Sequence, residues 1–130
     1  MWKLHVFEDS RLIDTVPLDC SHSSSAGSAV ENDIVLADCG AEPEHFTIFF
    51  DLISWTTCQV VEEGVSKTEK NSLCLLDMNT HHGTFLNHMR VPPGTYAELK
   101  SGDTITIGHD GLEAVPREGH TLREYRLIEE

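Results

Sequence analysis

The chain has 130 residues, 39% of them apolar and 24% charged, with 22 Asp and Glu against 9 Lys and Arg and a formal charge of −13. That length holds one core and leaves no room for a second, and the apolar share is that of a folded globular chain and not of a disordered tail. So acidic a chain is not expected to bind nucleic acid or an anionic membrane directly, because both are held by clustered Lys and Arg.

No apolar run approaches the ~20 residues that a membrane-spanning helix needs. The opening "MWKLHVFEDS" alternates and lacks the basic stretch and apolar segment of a secretory signal, so an intracellular chain is expected. Cys20, Cys39, Cys58 and Cys74 have 15 to 18 residues between neighbours, without the close pairs of zinc sites, and read as reduced thiols partly buried in strands.

Short runs rich in β-formers follow one another, bounded by turn residues, and no window of a dozen residues holds a helical period. Strands are expected at 2–7 (WKLHVF), 11–16 (RLIDTV), 33–37 (DIVLA), 45–50 (HFTIFF), 54–61 (SWTTCQVV), 73–77 (LCLLD), 84–87 (TFLN), 95–99 (TYAEL), 103–108 (DTITIG) and 123–129 (REYRLIE). Loops are expected between them, among them the Ser-rich 20–32, then 62–72, 91–95, 100–103 and 109–120. In 45–50, alternation places Phe46, Ile48 and Phe50 on one face and Phe49 on the other, and a sheet with aromatics on both faces offers one to a partner or a second copy. Strands at this spacing imply an all-β fold, a two-sheet sandwich of about ten to eleven mostly antiparallel strands, with residues 1–130 forming one domain.

Four segments in order carry a resemblance to the forkhead-associated (FHA) domain, a β-sandwich that reads phosphothreonine peptides through loops at one end. "GSAVENDIVLAD" (27–38) is similar to the family's Gly-Arg, three variable residues, then Asn-Asp-Ile-Val-Leu; "EPEHFTI" (42–48) lies where the family has Ser-Arg-x-His. "DMNTHHGTFLN" (77–87) resembles Asp-Leu-Gly-Ser-Thr-Asn-Gly-Thr-Phe-Val-Asn, and "LKSGDTITIG" (99–108) resembles Leu-x-x-Gly-Asp-x-Ile-x-Ile-Gly. Within the family, "MWKL" and "LKSGD" are similar to the amino-terminal domain of a DNA-break repair adaptor.

The resemblance implies a recognition surface over Gly27–Asn32, Ala41–His45 and Thr80–Gly83, and its usual chemistry is replaced there. Ser28 stands where the family's arginine supplies the phosphate's counter-charge; Glu42 and Pro43 stand where it has a serine and an arginine, and Glu44 adds a further carboxylate. A carboxylate ~4–5 Å from a phosphate costs on the order of 1–3 kcal/mol at a protein surface. His81 and His82 replace a Thr-Asn pair, while Thr80 keeps a hydroxyl. No Lys or Arg occurs between Arg11 and Lys67, so no shift of register puts a cation into the first two loops; Lys67, Lys70 and Arg90 lie in or beside loops, within reach of the rim. Gly27, Asn32, His45 and Asn87 complete the set of expected binding residues, His45 as a structural tie for the second loop.

The reading is a non-catalytic protein-interaction module with a protein or peptide partner, basic in character and bound without phosphothreonine. The alternative is a phosphothreonine reader using Ser28, Thr80, His81 and His82, with affinity rising below about pH 6.5 as imidazole charges. A third possibility is an architectural homodimer formed through a sheet face. No nucleophile stands beside a base and no glycine loop cradles phosphate, so no enzyme and no cofactor are expected. "HHGTFLNH" (81–88) gives its histidines no shared face, so no metal is expected either. A nuclear location follows from family analogy alone.

Overall fold

The computed structural model describes residues 2–18, 23–37, 40–54, 69–109, 112–113 and 123–129, with backbone alone at 51–54, 69–72, 109 and 113. Among them run twelve strands: β1 (Trp2–Glu8), β2 (Arg11–Leu18), β3 (Ser24–Gly27), β4 (Ile34–Val35), β5 (Phe46–Ser54), β6 (Glu69–Asp77), β7 (Thr84–Leu86), β8 (Met89–Arg90), β9 (Tyr96–Leu99), β10 (Thr104–His109), β11 (Leu112–Glu113) and β12 (Arg123–Glu129). They form a seven-stranded sheet in the order β2-β1-β12-β10-β7-β8, with β11 on β10, and a five-stranded sheet in the order β4-β3-β5-β6-β9. Among the described pairings only β3–β4 is parallel. The described residues contain no helix, and none is long and apolar enough to cross a membrane.

Alternation builds the core from both sheets. Leu4, Val6, Ile105, Ile107, Tyr125 and Leu127 point in from one sheet and Ala26, Phe46, Ile48, Leu73, Leu75 and Leu99 from the other, all buried. Each large side chain so placed contributes about 1.5–3 kcal/mol relative to exposure. Phe50 packs against the core, while Phe49 lies on the opposite face of β5 and meets Tyr96 edge to face with centroids 5.2 Å apart. Hairpin turns are set by backbone handedness: Asp9 and Ser10 (φ 50° and 66°) join β1 to β2, and Asn87 and His88 (φ 49° and 71°) join β7 to β8. Two consecutive positive φ angles are what a right-twisted two-residue hairpin requires.

The edge strand β2 carries three features that oppose further pairing. A bulge follows the Val6–Asp14 pair, Asp14 shares the core-side face with Val6, and Pro17 removes one ladder donor.

Several boundaries differ from the sequence-based expectation. Ser24–Gly27, expected within a loop, forms β3: serine, alanine and glycine have little strand propensity, but here small residues are what the close packing admits. Residues 69–72, also expected as loop, continue β6, because the antiparallel register runs unbroken from Phe46↔Asp77 to Ser54↔Glu69 and backbone pairing carries polar residues along. β4 is two residues instead of five, and β8 and β11 are two-residue strands too short for a periodic signal. The strand expected at 54–61 lies, beyond Ser54, outside the described residues. Cys74 is buried in β6, and Cys20, Cys39, Cys58 and Trp55 are likewise outside them.

Register fixes where the three loops expected to carry recognition emerge. Phe46 pairs with both Ala26 and Asp77, so the end of β3, the start of β5 and the end of β6 lie side by side. From the other sheet, β7 starts at Thr84 directly after the third loop. Three connections therefore share one end of the sandwich.

Candidate functional site

The loop end has a buried frame. Asp77 is 1% exposed, and its carboxylate accepts from the hydroxyls of Thr80 and Thr84, each at 2.7 Å, and from the Thr80 amide at 3.0 Å. The Thr80 hydroxyl in turn accepts the Gly83 amide at 3.1 Å. This oxygen thus both donates and accepts inside the protein, and Thr80 is itself buried. Each of these donors, left without an acceptor, would cost about 1–3 kcal/mol.

His45, fully buried, joins the second loop to the third. Its Nδ1 accepts the Glu42 amide at 3.2 Å, which leaves Nε2 to donate to the Gly83 carbonyl at 3.0 Å. Gly108 donates its amide to the same carbonyl at 3.0 Å. Gly27 joins the first loop to the second, since a Cβ there would collide with the Pro43 carbonyl oxygen and with Nδ2 of Asn32. That Nδ2 donates to the carbonyls of Ala29 (2.9 Å) and Pro43 (2.6 Å), and the Ser28 amide donates to the Glu42 carbonyl at 2.8 Å.

Around this frame lies a face of different chemistry. Ser28, Pro43, Glu44 and His81 are exposed, and Glu42 and His82 half-buried. The Glu42 carboxylate reaches across to the third loop and accepts the backbone amide of His81 at 2.7 Å. A charged acceptor on a backbone donor makes one of the stronger hydrogen bonds in a protein. An outward-facing donor of the loop end is therefore held by the chain's own anion. The rings of His81 and His82 pack edge to face at 5.0 Å.

Among the described residues one cation reaches this end. Arg90, on β8, lies against Gly83, where an added Cβ would come within 2.6 Å of its Nε, and it donates through Nη2 to the His81 carbonyl at 3.3 Å. The sequence puts Arg90 within reach of the rim; its place against Gly83 follows from the way "NHMR" (87–90) folds back through a two-residue turn onto "HHGTF" (81–85). Lys67 lies outside the described residues, and Lys70 is described in its backbone alone.

Asn87 is not brought to the face. It sits at the far end of β7 from Gly83, donates to Asp103 at 2.9 Å and accepts the Thr104 amide at 2.9 Å, tying the β7–β8 turn to the β9–β10 turn. Gly27, Asn32, His45 and Thr80 belong to the frame, and Ser28, Glu42, Pro43, Glu44, His81 and His82 to the face. Among the described residues no group of three His, Cys, Asp or Glu is placed to hold a metal ion.

Comparison with known proteins agrees with this geometry. The family model described as FHA domain matches residues 25–108. No curated protein sequence matches the chain. Among solved structures, full-length yeast Pml1p superposes with a TM-score of 0.72 at 19% identity, covering 98% of this chain and 81% of that one. The MEK1 FHA domain in complex with a HOP1 phosphothreonine peptide gives 0.60 at 14% identity, with 96% and 94% covered. The FhaA FHA domain, complexed with the intracellular domain of another protein, gives 0.62 at 21% identity, with 98% and 99% covered. At these identities the structural likeness speaks for the fold alone.

Proposed function

The chain belongs to the FHA domain family, a family of protein-interaction modules, and from that premise we propose that residues 1–130 act as one non-catalytic adaptor domain whose partner binding does not depend on phosphothreonine. The observation that carries this reading is the 2.7 Å bond from the His81 amide to the Glu42 carboxylate. A phosphate approaching that amide meets a fixed anion, and Ser28 brings no charge to offset it. With Glu44 beside Pro43, the exposed face calls for a basic peptide or a basic protein surface, bound less tightly as salt rises. Adaptor use of this fold is supported by the neighbours, one a yeast splicing factor integrated into the RES complex and another seated on a partner's intracellular domain. A nuclear location is part of the same proposal, by analogy with the splicing factor.

Calorimetry with a phosphothreonine peptide library and its unphosphorylated counterparts, at two pH values, tests the reading. Equal or weaker affinity for the phosphorylated members is expected; phosphate-dependent binding at pH 8, where imidazole is largely uncharged, contradicts it.

A second reading has one observation in its favour, the Arg90 guanidinium 3.3 Å from the His81 carbonyl. Here Arg90, with His81 and His82, supplies the phosphate's counter-charge from the third loop, and Arg90→Ala abolishes phosphopeptide binding. Concentration-dependent dimerisation indifferent to loop substitutions would instead assign an architectural role to the sheet face where Phe49 meets Tyr96.

A further inference from the structure

Beside the loop face, a groove of about 420 Å³ opens between the first loop, the start of β5 and Met78. Its size falls within the ~300–1,000 Å³ range of ligand-holding clefts. Ala26 and Phe46, both buried, form its floor, and Met78, 42% exposed, forms one side. The Met78 sulfur accepts from the Thr47 hydroxyl at 3.7 Å, which fixes that wall. Across the groove the first loop is stapled to β3, as Ser25 donates its amide to Asp33 at 3.0 Å and Asp33 donates its own amide back to the Ser25 hydroxyl at 3.2 Å. The cleft is therefore built on bonded backbone.

Glu31 and Glu44 also line it, both exposed, and among the described residues neither has a hydrogen-bond or salt-bridge partner. No Lys or Arg lies between Arg11 and Lys67 to neutralise them locally, and Arg90 is engaged with the third loop. A groove with Ala26, Phe46 and Met78 in its lining beside two unpaired carboxylates matches a side chain with an apolar stem and a cationic head. We propose that this groove takes a lysine or arginine side chain from an extended segment of a partner protein, with the stem along Phe46 and Met78 and the charge between Glu31 and Glu44. The assignment rests on the phosphate-independent reading of the adjoining loops and names the partner's anchor. A second copy of the chain, at a charge of −13, fits the same groove less well than a basic partner.

The test is a nitrogen-15 NMR titration of the whole chain with the capped pentapeptide acetyl-Ala-Ala-Arg-Leu-Ala-amide, and with the same peptide carrying citrulline for arginine. Saturable shifts are expected at Ser25, Ala29, Glu31, Thr47 and Met78 with the arginine peptide and not with citrulline. Glu31→Gln combined with Glu44→Gln, its fold verified by an unchanged spectrum elsewhere, should weaken binding about fivefold, the scale of two exposed ion contacts. Absence of saturable shifts up to about 10 mM, an equal response to citrulline, or self-association in place of peptide binding overturns the proposal. Arginine-dependent shifts confined to 80–83 also remove the groove but leave the phosphate-independent reading standing. Tenfold tighter binding of the same peptide with phosphothreonine in place of its first alanine, relative to plain threonine there, removes that reading, while citrulline-sensitive shifts in the groove would survive it.

Discussion

Two layers of the same loops obey different rules. Within the frame, Gly27, His45, Asp77, Thr80 and Gly83 are buried and joined through hydrogen bonds and close packing, so each depends on the identity of the others. On the face, Ser28, Glu44 and His81 are exposed and Glu42 is half-buried, and among the described residues the cation that reaches them is Arg90, at the His81 carbonyl. The frame retains what the fold needs to hold three loops together; the face is where the proposed partner would meet it. Because face residues contribute little to stability, their chemistry is free to change while the platform stays.

That contrast is broken most forcefully at Gly27. Gly27→Ala drives a methyl into the Pro43 carbonyl and is expected to cost about 3–4 kcal/mol, read as a lower urea midpoint. A cost below about 1 kcal/mol would mean that the first two loops are not packed as described. Asp77→Ala leaves two threonine hydroxyls and one amide buried without their acceptor, a loss of about 3 kcal/mol, with hydrogen exchange at 78–84 rising first.

On the face the expected effects are functional. Ser28→Arg with Glu42→Ser introduces a cation and a donor, and should raise phosphothreonine-peptide affinity tenfold or more while the unfolding midpoint moves little. Glu42→Ala alone removes one half-buried acceptor, costs about 1 kcal/mol or less, and opens the His81 amide to exchange. If the face substitutions cost as much as the frame ones, the two layers are not distinct.

Much of this was readable in advance, and the exceptions have physical reasons. The strand at 123–129 emerged with both ends placed, because its alternation is clean and its bounding residues polar. The sandwich followed from spacing, and the family from four motifs in order. β3 was missed because Ser24–Gly27 has the composition of a linker, and only the backbone packing beside Gly27 turns that composition into a requirement. At the site, the residue types at 28, 42 and 43 are legible as chemistry, since a residue's charge needs no coordinates. What the Glu42 carboxylate does with its charge was not, because its partner amide lies 39 residues on in the chain. The inward turn of the Thr80 hydroxyl is likewise a three-dimensional fact, and while Arg90 was legible as near the rim, its contact with Gly83 was not.

The amide proton of His81 reports on the central statement directly. Its chemical shift and exchange rate, followed by NMR during addition of a phosphothreonine peptide and of the same peptide with plain threonine, show which acceptor holds it. A hydrogen-bonded, slowly exchanging amide that neither peptide displaces is the expected result. A saturable movement of that resonance with the phosphorylated peptide alone would contradict the account.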